Sequence, residues 1–314
     1  MTQSPDARNS HTVILAYFSL CLIWGSTWLA IRVVVRDVPP LEAAAVRFVA
    51  AGVLLLGLAV AQRRPWPSGL QQWKAVLVLG FTMMAAPYGL LFWAEQYVTS
   101  GMTAVLYSAL PLVVALLTPL LLKRKVPRDA VFAMVVAFGG LLALFYTGLS
   151  HGRALLGGLA VLCAVALSAW SVVFAKQRLH DVDPVSGTAL QLLVGAVVLC
   201  WGTWAMEAHR HALWTSSAVM ATAFLTVFGS CAAFVIYYWL LKRIQPYQSA
   251  TISLVVPIVA VLEGSLLYGE PVSPVMVVAI IAVLGSVSVV LKPRTEPQEE
   301  SVRVEKTLKI EEET

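Results

Sequence analysis

Three ionisable side chains, Arg47, Glu95 and Glu263, stand inside long apolar runs. A charge near the centre of a membrane helix costs about 2.5–3.5 kcal/mol on insertion scales. Each retained one therefore implies a substrate or proton site, a structural ion pair, or a side chain reaching back to the interface. At a rise of about 1.5 Å per residue, Arg47 lies about 12 Å from the helix end near Pro39, and Glu263 about 10 Å from the end near Glu270. The shared depth predicts that these two face one cavity. Glu95 falls nearer the surface, as a gate residue or an interfacial one.

Pro111 and Pro257 each interrupt the middle of an apolar run. In a soluble helix interior such a proline costs about 3 kcal/mol, through a lost hydrogen bond and a clash with the preceding turn. Paired interruptions in corresponding helices point to the hinge or binding site of a transporter, with a packing kink as the simpler alternative. At about 3.6 residues per turn, Tyr88, Phe92, Glu95 and Thr99 share one helical face, and Tyr107, Pro111 and Thr118 share another. Thr226, Ser230 and Tyr237 form a third stripe, and Ser249, Ser253 and Glu263 a fourth. Aromatic and hydroxyl lining suits a small organic solute better than a bare inorganic ion. The same hydroxyls also serve helix-to-helix hydrogen bonds in membranes.

Other chemistry lacks its residues. His151, His180, His209 and His211 fall between the apolar runs, His11 precedes them, and no His-Glu-x-x-His pair occurs. There is no Walker-type glycine loop, so neither metal-dependent proteolysis nor intrinsic ATP hydrolysis is supported, and no cofactor is called for. Cys21, Cys163, Cys200 and Cys231 lie within apolar runs at no ligand spacing and read as packing residues.

The elements that must position these side chains follow from composition. Of 314 residues, 59% are hydrophobic and 12% charged, and mean hydropathy is +0.80. One soluble core cannot hide that much apolar surface, so lipid must be the solvent. Runs of membrane-spanning length, about 20 residues each, fall at 14–35, 39–61, 73–98, 100–122, 128–148, 154–177, 183–207, 217–244, 246–270 and 273–291. The polar stretch 1–13 lacks a basic region leading to a cleavage site, so the first run is expected to remain as a membrane helix.

The net charge of +5 is carried by short connections such as Arg63-Arg64, Lys123-Arg124-Lys125 and Lys242-Arg243. With a cytoplasmic N-terminus these all lie inside, against only Arg32, Arg36, Arg153 and Arg210 outside. The positive-inside rule then places both termini in the cytoplasm and removes any need for a nucleic-acid partner. Residues 293–314 are rich in Glu and Lys and poor in aromatics, as expected of a disordered cytoplasmic tail.

A constant shift of 146 residues maps Trp24 to Trp170, Arg32 to Arg178, Trp93 to Trp239, Pro111 to Pro257 and Gly139 to Gly285. The expectation is an all-α integral membrane protein of ten transmembrane helices, built as two inverted five-helix repeats over 14–148 and 154–292. Arg47 corresponds to Gln191 after a small gap, Glu263 to Leu117 and Glu95 to Leu241, so the charges break the pseudosymmetry.

Several segments together resemble the EamA family of the drug/metabolite transporter superfamily, across the whole membrane part. They are Trp24-Gly25-Ser26-Thr27, Arg47, the stretch from Phe92 to Gly101, the helix around Pro111, and Gly269-Glu270-Pro271. The resemblance implies an inner-membrane permease that moves metabolites or amino acids, commonly outward. It also implies a central cavity lined largely by spans three, four, eight and nine. The competing class is a membrane-embedded enzyme acting on a lipid or isoprenoid. Such a catalyst needs clustered carboxylates, histidines or a metal, and this chain has isolated charges. The resulting candidate substrate site comprises Arg47, Tyr88, Phe92, Glu95, Tyr107, Pro111, Ser230, Tyr237, Ser253, Pro257 and Glu263, with a small molecule and the bilayer as partners.

Overall fold

The computed structural model describes residues 5–98, 100–145, 153–268 and 274–292, and these are helical with short connections. Thr99, His151, Gly269-Glu270-Pro271 and the tail 293–314 lie outside the described residues. Seven helical stretches are long and apolar enough to cross a membrane: His11–Asp37, Pro40–Ala61, Gly69–Ala94, Met102–Leu122, Arg153–Arg178, Pro184–Glu207 and Ser216–Leu241. Of the ten expected spans, seven reach full length among the described residues. Shorter apolar helices cover Pro246–Val259 and Ile280–Val290.

Burial is inverted relative to a water-soluble protein. Leu120, Val197 and Trp204 are 74%, 71% and 73% exposed, whereas Arg47 is 1% exposed. A surface this apolar is stable only where the surroundings are apolar too.

Helices α1 (Pro5–Asp37) and α2 (Pro40–Ala61) are joined at Pro39-Pro40, where a proline in the first helical turn costs no hydrogen bond. The third span is not one regular helix. It runs as α3 (Gly69–Leu79), a π-helical segment Gly80–Ala85 and α4 (Ala86–Ala94). The fourth breaks at Ser108-Ala109 into α5 (Ser100–Tyr107) and α6 (Leu110–Leu122). Then come α7 (Arg128–Phe145), α8 (Arg153–Arg178) and α9 (Pro184–Glu207).

The second half repeats the interruptions. A π-helical segment Val227–Ala232 separates α10 (Ser216–Thr226) from α11 (Ala233–Leu241). Thr251 separates α12 (Pro246–Ala250) from α13 (Ile252–Tyr268), and α14 (Pro274–Val290) packs against α7. Pro111 thus opens the helix that follows a break, where its missing N–H is harmless. Pro257 lies inside α13.

The α2–α9 contact sets the frame. At one end Glu207, on α9, accepts from the backbone N–H groups of Leu41 (3.2 Å) and Glu42 (3.0 Å), which occupies the positive N-terminus of α2 with a carboxylate. At the other end Asp183 caps its own helix through Val185 N (2.9 Å) and Ser186 N (3.1 Å), and Arg64, just past α2, stands 3.5 Å from it. The two helices are therefore antiparallel. Their closeness depends on a small residue: a Cβ at Gly52 would stand 2.7 Å from Leu193 Cδ2 and 3.2 Å from the Leu193 backbone nitrogen. Where α9 meets the first π-helical segment, a Cβ at Gly195 would stand 2.7 Å from Met84 Cβ and 3.2 Å from the Gly80 carbonyl oxygen.

Candidate functional site

The interrupted helices help to line a partly open cavity whose empty space, including the part open to the surroundings, is about 780 Å³. Helix α1 contributes Trp24, Thr27, Trp28 and Ile31, one face at helical spacing. Tyr88 and Leu91 come from α4, Tyr107 from the last position of α5, and Ser168 and Val172 from α8. The second half supplies Phe234 and Tyr237 from α11, Ser249 from α12, and Ser253 and Val256 from α13. The first π-helical segment and the breaks at Ser108-Ala109 and Thr251 adjoin this wall, through Met83, Tyr107 with Leu110, and Ala250 with Ile252. None of the described lining residues carries a charge.

Six aromatic rings dominate the wall. Trp24 packs on Tyr237 at 5.3 Å and on Phe234 at 5.9 Å between centroids, Tyr88 meets Phe234 at 6.0 Å, and Trp28 meets Tyr107 at 6.0 Å. These separations fall in the range where edge-to-face pairs are favourable, so the rings hold one another in place. The hydroxyls are mostly committed as donors. Tyr107 donates to Ser168 Oγ (2.9 Å), Thr27 to the Trp24 carbonyl (2.7 Å), Ser249 to that of Pro246 (2.9 Å) and Ser253 to that of Ala250 (2.8 Å). Their lone pairs remain as acceptors. Trp24 Nε1 is buried without a hydrogen-bond partner among the described residues.

Of the expected site residues, the fold brings Tyr88, Tyr107, Tyr237 and Ser253 to the wall. Arg47 stands behind it. Its Nε donates to Ser230 Oγ (2.8 Å) and its Nη2 to the Gly229 carbonyl (3.0 Å), so the second π-helical segment holds it. The rings of Phe48 and Tyr88 lie 5.4 and 5.1 Å from its Cζ. Arg47 and Glu263 are not ion-paired: Glu263 accepts a hydrogen bond from Ser26, whose hydroxyl also reaches the Leu22 carbonyl at 3.0 Å. Phe92 is fully buried in the core, Glu95 ends α4 at 8% exposure, and Pro111 and Pro257 are buried away from the wall.

The residues that sequence reasoning missed include Phe234 on α11 and the whole contribution of α1 and α8. Trp24, Thr27, Trp28 and Ile31 recur at the i, i+3, i+4, i+7 spacing, and Ser168 and Val172 at i, i+4. That periodicity was the available signal, but in a helix apolar all round it does not say which face looks inward.

A second hollow, at the end of the bundle near Asp183, includes Lys176, Lys242 and Tyr238 in its lining. Both ammonium groups are engaged, Lys176 with the Ile244 carbonyl (2.8 Å) and Lys242 with that of Val182 (2.6 Å). The pKa of Lys242 is lowered mainly by burial, against the opposing pull of Asp183 and Asp181. These lysines tie connections to helix ends and offer little to a ligand.

The model of the EamA-like transporter family matches residues 11–146 and again 155–292. The chain belongs to the EamA-like transporter family. It is 30% identical over 265 residues to the Bacillus subtilis (strain 168) protein named uncharacterized transporter YoaV, covering 83% of this chain and 90% of that one. It is 31% identical over 261 residues to the uncharacterized inner membrane transporter YedA of Escherichia coli (strain K12), covering 83% and 84%. Protein PagO of Salmonella typhimurium (strain LT2) is 24% identical over 290 residues, covering 91% and 95%. A solved crystal structure superposes with a TM-score of 0.74 at 18% identity, over 90% of this chain and 96% of that one, and supports the fold alone. This EamA-like chain is accordingly a multi-pass membrane protein of the transporter class, and the family and its relatives' names indicate a transporter rather than an enzyme.

Proposed function

We propose that this chain is an inner-membrane secondary transporter or facilitator that exports small organic metabolites, amino acids or related compounds among them, by alternating access at the central cavity. One observation carries it: the cavity is walled by residues of both halves, and four of the helical stretches around it are interrupted at paired places, Gly80–Ala85 with Val227–Ala232 and Ser108-Ala109 with Thr251. A π-helical turn or a break leaves the backbone hydrogen-bond ladder incomplete, which is where a membrane helix bends at least cost. Two inverted five-helix repeats account for this pairing and for the antiparallel α2–α9 contact, since each half can then adopt the other's conformation. Both termini are cytoplasmic in this reading, from the distribution of Lys and Arg.

Proteoliposomes holding the purified protein should show counterflow of a radiolabelled amino acid or related metabolite, above that of empty vesicles. An overexpressing strain should release the same solute into its medium. Absence of solute flux across a broad metabolite panel, together with turnover of an added lipid or isoprenoid, would replace transport by the enzyme alternative.

A further inference from the structure

The buried polar groups around the cavity are unequally satisfied. Arg47 Nη1 and Trp24 Nε1 have no hydrogen-bond partner among the described residues, and both are donors. Arg47 is 1% exposed, its two hydrogen bonds go to neutral oxygens, and Glu263 is not paired with it. A buried guanidinium stays charged, so a partner anion gains more here than it would in water. Phe48 and Tyr88 flank the guanidinium, and its remaining N–H groups suit a bidentate carboxylate.

Arg47 lies one side chain beyond the cavity. Tyr88, 5.1 Å from its Cζ, is a wall residue. So is Thr27, whose Cγ2 would stand 2.9 Å from a Cβ at Gly229, a position itself 3.2 Å from Arg47 Nη2. The Thr27 hydroxyl already donates to the Trp24 carbonyl and does not compete for an anion.

We propose that Arg47, reached between Tyr88 and Thr27, and the indole N–H of Trp24 form a carboxylate receptor. The transported solute is then a small organic acid or amino acid whose apolar or aromatic body rests among the cavity rings. This rests on the transport reading of the same cavity. The carboxylate takes up the unmatched donors, the rings bury the body, and an amino group faces the rings and hydroxyl lone pairs.

The test compares probes that differ in one group: phenylpropionate, phenylalanine, phenylalaninamide and phenethylamine. Binding to the protein in detergent is read by intrinsic tryptophan fluorescence, since Trp24 and Trp28 line the cavity. The two acids should bind at least about ten-fold more tightly than the amide or the amine. Arg47→Gln should abolish that gap, and Trp24→Phe, which keeps a ring, should narrow it. Gly229→Ala, which crowds Nη2 without removing it, should weaken the acids alone. If Arg47→Gln does not fold, the Gly229 and Trp24 variants decide by the same gap. Equal affinity for acid and amide, loss of all probes alike in the variants, or binding of none of the four would overturn the receptor. Counterflow of some solute without a carboxylate would leave transport standing while removing the receptor.

Discussion

Arg47 and Gln191 occupy corresponding places in the two halves, each seven residues after the proline that opens its helix, on α2 and α9. Both are fully or almost fully buried, at 1% and 0% exposure. Gln191 is satisfied: its Nε2 donates to the Gly187 carbonyl (3.1 Å) and its Oε1 accepts from Tyr238 (2.6 Å). Arg47 has its charge and Nη1 left over. A matched polar group in a low-dielectric interior fixes a structure, whereas an unmatched one is costly and persists where it serves something that comes and goes. In the proposed receptor the first half carries the function of this position, and the second half its packing.

The largest expected effect breaks that comparison directly. Arg47→Met removes an uncompensated buried charge while keeping an unbranched apolar side chain, so the thermal midpoint in detergent should hold or rise. Flux of carboxylate solutes should fall by at least about ten-fold. A loss of folded protein instead would make Arg47 a lock between α2 and the second π-helical segment. Gln191→Leu should give the opposite pattern. It strands the Tyr238 hydroxyl in the core, which should cost about 1–3 kcal/mol of stability, while counterflow by the folded fraction stays close to wild type.

The comparison sharpens one turn further along each helix, at Ala51 and Gly195. Ala51 accommodates its Cβ beside the second π-helical segment, with Cys231 Sγ 3.5 Å from its carbonyl oxygen. Gly195 has no such room beside the first. Gly195→Ala should therefore cost about 1–3 kcal/mol through overpacking, seen as a lower thermal midpoint, and Gly57→Ala, where a Cβ meets nothing within 4 Å, should not. The smallest effect is expected at Tyr107→Phe. It removes the 2.9 Å bond to Ser168 but keeps the ring against Trp28, a loss of about 0.5–1.5 kcal/mol with little change in flux.

The amino-acid sequence by itself determined the helical membrane class, the family, and the presence of aromatic and hydroxyl stripes. Hydropathy and repeat spacing are local or additive properties that survive without coordinates. It marked Arg47 as anomalous from cost alone, and Tyr88, Tyr107, Tyr237 and Ser253 from helical phasing. Tertiary structure decided what these residues meet. Depth counting put Arg47 opposite Glu263, yet rotation about each helix axis sends Glu263 to Ser26 and Arg47 to Gly229 and Ser230. The π-helical segments left no sequence mark, because a single widened turn depends on how neighbours such as Gly195 and Arg47 press against it. Which face of α1 or α8 looks inward depends likewise on packing, since in a lipid-embedded helix both faces are apolar and only a neighbouring helix tells them apart.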